Sequence, residues 1–258
     1  MTLRASLFLL IAVILLGCST PPKSIEHKPQ VILKLDDLGY EEGLVHPGWQ
    51  KVVDFLNEEK VIGTIGLIGD SFLEGDSAYF QWIKDRHEEG YEIWNHGFCH
   101  CKPMVDSVEH REFRGMSFGY QLNQVQQTQQ LAKEKVGITL TSFGAPYNST
   151  DSATAAALAQ IPELTIWMYK ETTFPTEKTI LPRIPEVNIE YPVHVPDVDQ
   201  FKAGYAQFKS EPVLIIQGHP RSWTEDSIRW DNFTAIVHFL KSEGVTFTTP
   251  QAYVRGMK

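Results

Sequence analysis

The sequence predicts an α/β fold whose parallel strands close into a barrel, and three observations point to it. Continuous apolar runs recur along the chain, as strands buried on both faces require. Amphipathic helical patterns lie between them, the alternation that builds βαβ units. Several runs end in residues capable of chemistry, and in such barrels the catalytic groups stand at the C-terminal strand ends.

The N-terminus reads differently from the rest. Arg4 precedes the apolar stretch Leu7–Leu16 and then Gly17-Cys18, short of the roughly 20 apolar residues a membrane span needs. Residues 1–17 are therefore expected to be a signal peptide. Leu15-Leu16-Gly17-Cys18 resembles the bacterial lipobox, which implies lipidation of Cys18 and anchorage in the cell envelope, on the periplasmic face in a two-membrane host. Two acyl chains anchor stably where one is marginal. Residues 18–30, with Pro21, Pro22 and Pro29 and no periodicity, read as a flexible tether reaching roughly 20 Å. Residues 31–258 show no repeat and no low-complexity break, so one catalytic domain is expected there.

Within that domain the first strand is Val31-Ile32-Leu33-Lys34-Leu35, ending at Asp36-Asp37. Gly48–Lys60 follows as a helix with Val52, Val53, Phe55 and Leu56 on one side, and Val61–Ile68 as the second strand. Ala78–Glu89 carries Tyr79, Phe80, Trp82 and Ile83 at helical spacing, and Tyr91–Trp94 is a strand ending at Asn95-His96. Tyr120–Lys135 is a Gln-rich helix with Leu122, Val125 and Leu131, leading to the strand Thr139–Phe143 and then Gly144-Ala145-Pro146-Tyr147. Thr150-Asp151-Ser152 caps an Ala-rich helix over Asp151–Gln160, before the strand Leu164–Met168. Ile184–Pro196 is Pro-rich and reads as a long connection near the site's mouth. Val213–Ile216 ends at Gln217-Gly218-His219, and a last helix, Asn232–Ser242, is stopped by Gly244.

The chain is acidic. Its 23 Lys+Arg against 32 Asp+Glu give −9, and loss of residues 1–17 removes Arg4 and no acid, leaving −10. No basic stripe appears, which excludes nucleic acid as a partner. With Cys18 lipidated, Cys99 and Cys101 remain. A bridge at that spacing closes almost no loop, so both are read as small apolar residues rather than a disulfide or metal ligands.

The chemistry-bearing pattern is Asp36-Asp37 closing one strand and His96-Gly97-Phe98-Cys99-His100 closing another. A carboxylate with two imidazoles makes a facial ligand set for a divalent ion of zinc type, with positions left for water and substrate. The spare Asp then suits the base that metal-assisted hydrolysis needs beside its water.

These motifs resemble the polysaccharide deacetylase (NodB-homology) family over about Val31 to Val254. The resemblance implies a distorted (β/α)7 barrel and a metal-dependent carbohydrate deacetylase, here carried as a lipoprotein. It makes Asp36 the general base and Asp37, His96 and His100 the metal ligands. The family's Arg-x-Pro-aromatic motif meets Gly144-Ala145-Pro146-Tyr147, which keeps the Pro and the aromatic but has no Arg. The backbone N–H of Tyr147 is implied as an oxyanion donor. The late Leu-x-His motif meets Ile216-Gln217-Gly218-His219, one residue longer, and implies His219 as general acid. The family's Trp-containing fourth motif has no counterpart, although Trp167 lies in that region. In the family the missing Arg pairs with the base. Arg183 is the first candidate to replace it and Arg221 the second.

Trp94, Tyr40, Tyr147, Trp223 and Trp230 suit either the walls of a saccharide groove or ordinary core. The expected function is removal of acetyl groups, N-acetyl first, from an envelope or extracellular polysaccharide. Two alternatives stand beside it: a metal-dependent amidase on a non-saccharide substrate, and an inactive glycan-binding barrel.

Overall fold

The computed structural model describes residues 28–41, 43–170 and 174–257. The segments expected to be a signal peptide and, apart from its last residues, a tether, together with Cys18, lie outside the described residues. β1 (Gln30–Leu38) leads through α1 (Pro47–Glu58) to β2 (Thr64–Leu67). A single turn, α2 (Ser71–Glu74), and α3 (Ser77–Glu88) return the chain to β3 (Glu92–Asn95). A small antiparallel hairpin, β4 (Met104–Val105) with β5 (Val108–Glu109), precedes α4 (Phe118–Val136) and β6 (Ser142–Phe143). A 3-10 turn over Pro146–Asn148, α5 (Ser152–Ala159), β7 (Ile166–Met168) and β8 (Thr179–Leu181) follow. The chain then forms α6 (Val198–Phe208), β9 (Val213–Gly218), α7 (Pro220–Trp223), α8 (Ser227–Glu243), β10 (Thr246–Phe247) and α9 (Pro250–Gly256).

The large sheet is parallel throughout and runs β10-β1-β2-β3-β6-β7-β8, with β9 on β1. β1 is its centre: β9 pairs along Gln30–Leu35, β10 takes Gln30 and Val31, and β2 takes over from Lys34. The sheet curls with helices around it, so the expected α/β barrel architecture holds. Closure is incomplete, because β8 and β9 do not pair among the described strands. The barrel is distorted there.

Strand alternation divides the core into two layers. Val31, Leu33 and Leu35 of β1 face the helices with Trp167, Leu214 and Ile216. Ile32 faces the barrel interior with Trp94, Ile166, Met168 and Ile215. The same period of two sends Lys34 and Asp36 inward after Ile32. Lys34 is fully buried.

The helices carry their predicted punctuation. Asp151 caps α5 through the Thr154 N–H at 3.1 Å, and Gly244 ends α8 at φ 75°. The Gln-rich α4 differs from its predicted apolar face, because Leu122 and Leu131 are half-buried while Gln121 and Gln124 are buried. Gln121 spends its amide on the Met116 carbonyl and Asp151, which satisfies its polar atoms in the interior. The helix Val198–Phe208 lies beyond the sequence-level elements. Asp197 caps it by accepting the Gln200 N–H at 2.9 Å. No helix of the described residues is long and apolar enough to cross a membrane.

Candidate active site

Adjacent strand residues point to opposite faces, yet Asp36 and Asp37 both reach one pocket. A register shift between Leu35 and Leu38 and a φ of 69° at Asp37 turn the strand end, so both carboxylates aim into the same space. The Trp49 indole holds the turn by donating to the Asp37 carbonyl at 3.3 Å.

His96 and His100 come from the loop after β3. Gly97 makes the turn at φ 76°, and a Cβ there would stand 2.8 Å from the Glu112 carboxylate. That buried carboxylate accepts the Phe98 and Cys99 N–H groups and shapes the loop. His100 sits at φ 47°. This backbone curl brings the flanking cysteines to a Cα separation of 5.0 Å, where Cys99 and Cys101 form a disulfide. The reading of these residues as small buried apolar groups is corrected: both are half-buried and bonded to each other.

Both imidazoles converge on one oxygen, His96 Nε2 at 3.1 Å and His100 Nε2 at 3.2 Å from Asp37 Oδ1. The Asp37, His96 and His100 donor atoms all lie within 4.8 Å of one another. His96 Nδ1 faces the Gly144 carbonyl at 2.7 Å. A carbonyl only accepts, so Nδ1 donates to it and Nε2 is the nitrogen turned to Asp37 and the pocket, the support a coordinating His needs. The set therefore fits a divalent metal ion. Burial disfavours the Asp37 carboxylate, but hydrogen bonds and charge from His100 and His96 outweigh it and hold Asp37 well below the usual carboxylate range.

Asp36 is 1% exposed. Its carboxylate accepts Lys34 Nζ at 2.7 and 2.6 Å and Gln217 Nε2 at 2.6 Å. Lys34 Nζ lies 4.7 Å from the Trp94 ring centroid and 5.0 Å from that of Tyr169. Burial lowers the Lys34 pKa from the ordinary lysine value, against the pull of Asp36. The cation beside Asp36 is thus Lys34, and the expectation for Arg183 or Arg221 is corrected. Arg183 is exposed and stacks 5.6 Å from the Tyr169 centroid, and Arg221 is exposed on α7. The geometry also explains Gly144. A Cβ there would stand 2.9 Å from Trp94 Cζ3 and 3.2 Å from Lys34 Cε, so the space an Arg side chain would need is filled.

His219 follows β9, the strand paired with β1, and its Nε2 stands 4.0 Å from Asp37 Oδ2. Glu190, 3% exposed, holds it. The Glu190 carboxylate accepts His219 Nδ1 and the His219 N–H, each at 2.7 Å, together with Trp223 Nε1 at 2.7 Å and the His194 N–H at 2.8 Å. Burial opposes the imidazolium, but the hydrogen bond and charge of Glu190, with Asp36 and Asp37 beyond, push the His219 pKa up to about 9.

Tyr147 stands at φ 59° in the 3-10 turn, its hydroxyl donating to the His100 carbonyl at 2.8 Å. Of the five aromatics named from sequence, Tyr147 alone lines the pocket; Trp94 and Trp223 are buried beneath it, while Tyr40 and Trp230 pack against the outer core. Trp167 faces the helices. The pocket holds about 370 Å³.

Sequence reasoning missed Lys34, Glu190, Gln217 and His194. A lone cation two residues before Asp36 on one strand was a readable signal. Glu190 and His194 sit in the Pro-rich connection without a local one.

Residues 23–163 match the family model for polysaccharide deacetylase. No curated protein sequence matches the chain. A family 4 acetyl xylan esterase from Clostridium thermocellum, solved with a cobalt ion, is 17% identical with a TM-score of 0.58, over 87% of this chain and 89% of that one. The Bc1960 peptidoglycan N-acetylglucosamine deacetylase is 19% identical with a TM-score of 0.60, over 88% and 89%. A family 4 pseudoenzyme from Bacillus anthracis is 15% identical with a TM-score of 0.59, over 88% and 66%. These likenesses show a shared fold.

Proposed function

The chain belongs to the polysaccharide deacetylase family, and from that premise we propose a metal-dependent hydrolase that removes acetyl groups, N-acetyl first, from an envelope or extracellular polysaccharide. The observation that carries the reading is the convergence of His96 and His100 on Asp37 beside a separate carboxylate, Asp36, with its own cation. In this reading the protein is a divergent, lipid-anchored member held in the envelope through Cys18.

Asp37, His96 and His100 would hold the ion. When bound there, a divalent metal supplies Lewis-acid polarisation of the acyl oxygen and lowers the pKa of a water. Asp36 takes the proton from the attacking water. Lys34 and Gln217 fix the Asp36 carboxylate through hydrogen bonds to both of its oxygens. The Tyr147 N–H is assigned to the developing oxyanion, a donor of the kind worth roughly 10²–10³ in rate. His219 gives its proton to the departing nitrogen or oxygen. Glu190 is the positioning residue: it holds Nδ1, so Nε2 is the nitrogen presented to the pocket.

A second reading, an inactive glycan-binding barrel, draws on the pseudoenzyme among proteins of this fold. The buried Lys34–Asp36 pair and the Glu190–His219 pair weigh against it, since a binding module has no use for an oriented base and acid. The test is acetate release from a panel of N- and O-acetylated glycans by zinc-loaded protein, with acetylated non-saccharide amides alongside. Release from a glycan is expected. Release from none of them, with metal bound, overturns the hydrolase reading, and release from the amides alone redirects it to a non-saccharide substrate.

A further inference from the structure

Each carboxylate in the pocket has a partner within the protein. Asp36 has Lys34, Asp37 has the two histidines, and Glu190 has His219. Two cations in the same pocket have none. Arg111 and Arg183 both line it, and among the described residues neither guanidinium has a carboxylate within ion-pair distance. They come from separate walls, Arg111 after the β4–β5 hairpin and Arg183 after β8.

Both are set on aromatic faces. The Arg111 guanidinium lies 4.5 Å from the Tyr147 centroid, and Tyr147 is itself anchored on the His100 carbonyl. Arg183 lies 5.6 Å from the Tyr169 centroid, and the Tyr169 hydroxyl donates to the Ile215 carbonyl at 2.6 Å. A guanidinium over an aromatic ring is attracted to the ring face without using any of its N–H groups on an acceptor, so those donors are left for a ligand. Lys102, 5.7 Å from the Tyr147 centroid, adds a third positive group on the Arg111 side, although it pairs with Glu109. This cationic lip stands on a chain of formal charge −9, so its sign is a local feature. Planar guanidinium forks match carboxylates bidentately.

We propose that this pocket recognises an acidic saccharide, Arg111 and Arg183 receiving a carboxylate carried on or next to the acetylated sugar. The proposal rests on the deacetylase reading for its substrate but is read out by binding. Three soluble oligosaccharides of equal length are titrated calorimetrically into the protein: an N-acetylhexosamine oligomer, one alternating N-acetylhexosamine with uronic acid, and one bearing a lactyl ether on the N-acetylated ring. The wild type should bind at least one acidic oligomer roughly tenfold or more tighter than the neutral one. Which of the two it prefers identifies the source of the carboxylate.

Arg111→Gln and Arg183→Gln, both at accessible positions, should each reduce that acidic-to-neutral ratio about tenfold, and the double variant should abolish it. Circular dichroism and thermal melts of each variant report on its folding. Equal affinity for all three oligomers, or a ratio unmoved in a folded double variant, overturns the proposal. Preferential acidic binding without acetate release breaks the hydrolase reading alone. Acetate release with equal affinity for acidic and neutral oligomers breaks only the present one.

Discussion

Replacing Lys34 with Met tests the assignment of Asp36 most directly. The two side chains form a pair with 0% and 1% exposure and an N–O separation of 2.6 Å. Methionine nearly fills the volume but leaves the Asp36 carboxylate buried without its cation. Gln217 still donates to one oxygen, and nothing replaces the two Lys34 contacts. Removing one partner of a buried ion pair costs about 3–5 kcal/mol, which is survivable for a domain stable by roughly 5–15 kcal/mol. At about 2–4 °C per kcal/mol for a chain of this size, the melting temperature should fall by roughly 6–20 °C. Acetate release should fall by about 10² or more, because general-base catalysis is typically worth that much. The Lys34→Met/Asp36→Leu double variant separates the two effects. With both charges gone the melt should recover toward wild type, since apolar replacement of a buried pair is often neutral or stabilising, while activity stays lost. Thermal melts, metal analysis and acetate assays on the three proteins read all of this. A Lys34→Met protein that melts within about 1 °C of wild type and keeps full activity would refute the pairing as the reason for Asp36's role.

If the purified protein carries a stoichiometric divalent metal, His96→Ala or His100→Ala should abolish it, measured by elemental analysis; full retention in both sinks the ligand set. Asp36→Asn should keep the ion and lose hydrolysis, whereas Asp37→Asn should weaken the ion itself, and equal metal loss in both would reverse the division of labour. His219→Ala should cost roughly 10² or more on an N-acetyl sugar but far less on an aryl acetate, whose phenolate leaves without a proton; an equal loss on both substrates would remove the acid role. Because His219 is raised from 6.5 to about 9 by Glu190, its contribution to stability is fully present below about pH 6.5 and is lost as pH rises through about 9. Activity should show an alkaline limb at or below about 9, a bound cation drawing it down, and Glu190→Gln should move that limb to lower pH. An unmoved limb would show that another group sets it.

The α/β alternation, the inward strands and the cluster of Asp36, Asp37, His96 and His100 were legible because each is written locally. Apolar runs mark strands, and a residue at a strand's C-terminal end must face the mouth of a barrel. His219 was legible in the same way, as the end of Val213–Ile216. Lys34 looked like one polar interruption of an apolar strand. Its meaning came from the period of two that sets it behind Asp36, together with Trp94 of β3, Tyr169 just after β7 and the close approach of its side chain to Gly144. The Cys99–Cys101 bond depended on the positive φ of His100 between them, a conformation no spacing rule predicts. Glu190 lies 29 residues before His219 in a Pro-rich connection with no periodicity. Only the fold, which seats that connection beside the end of β9, makes it the acceptor for four donors. The sequence by itself determined which backbone segments bury apolar surface and which side chains stand at their ends, since those follow from local periodicity. The tertiary structure alone decided which charges neutralise one another and which, like Arg111 and Arg183, are left to face a substrate. Charge pairing acts across space between segments whose separation along the chain carries no signal.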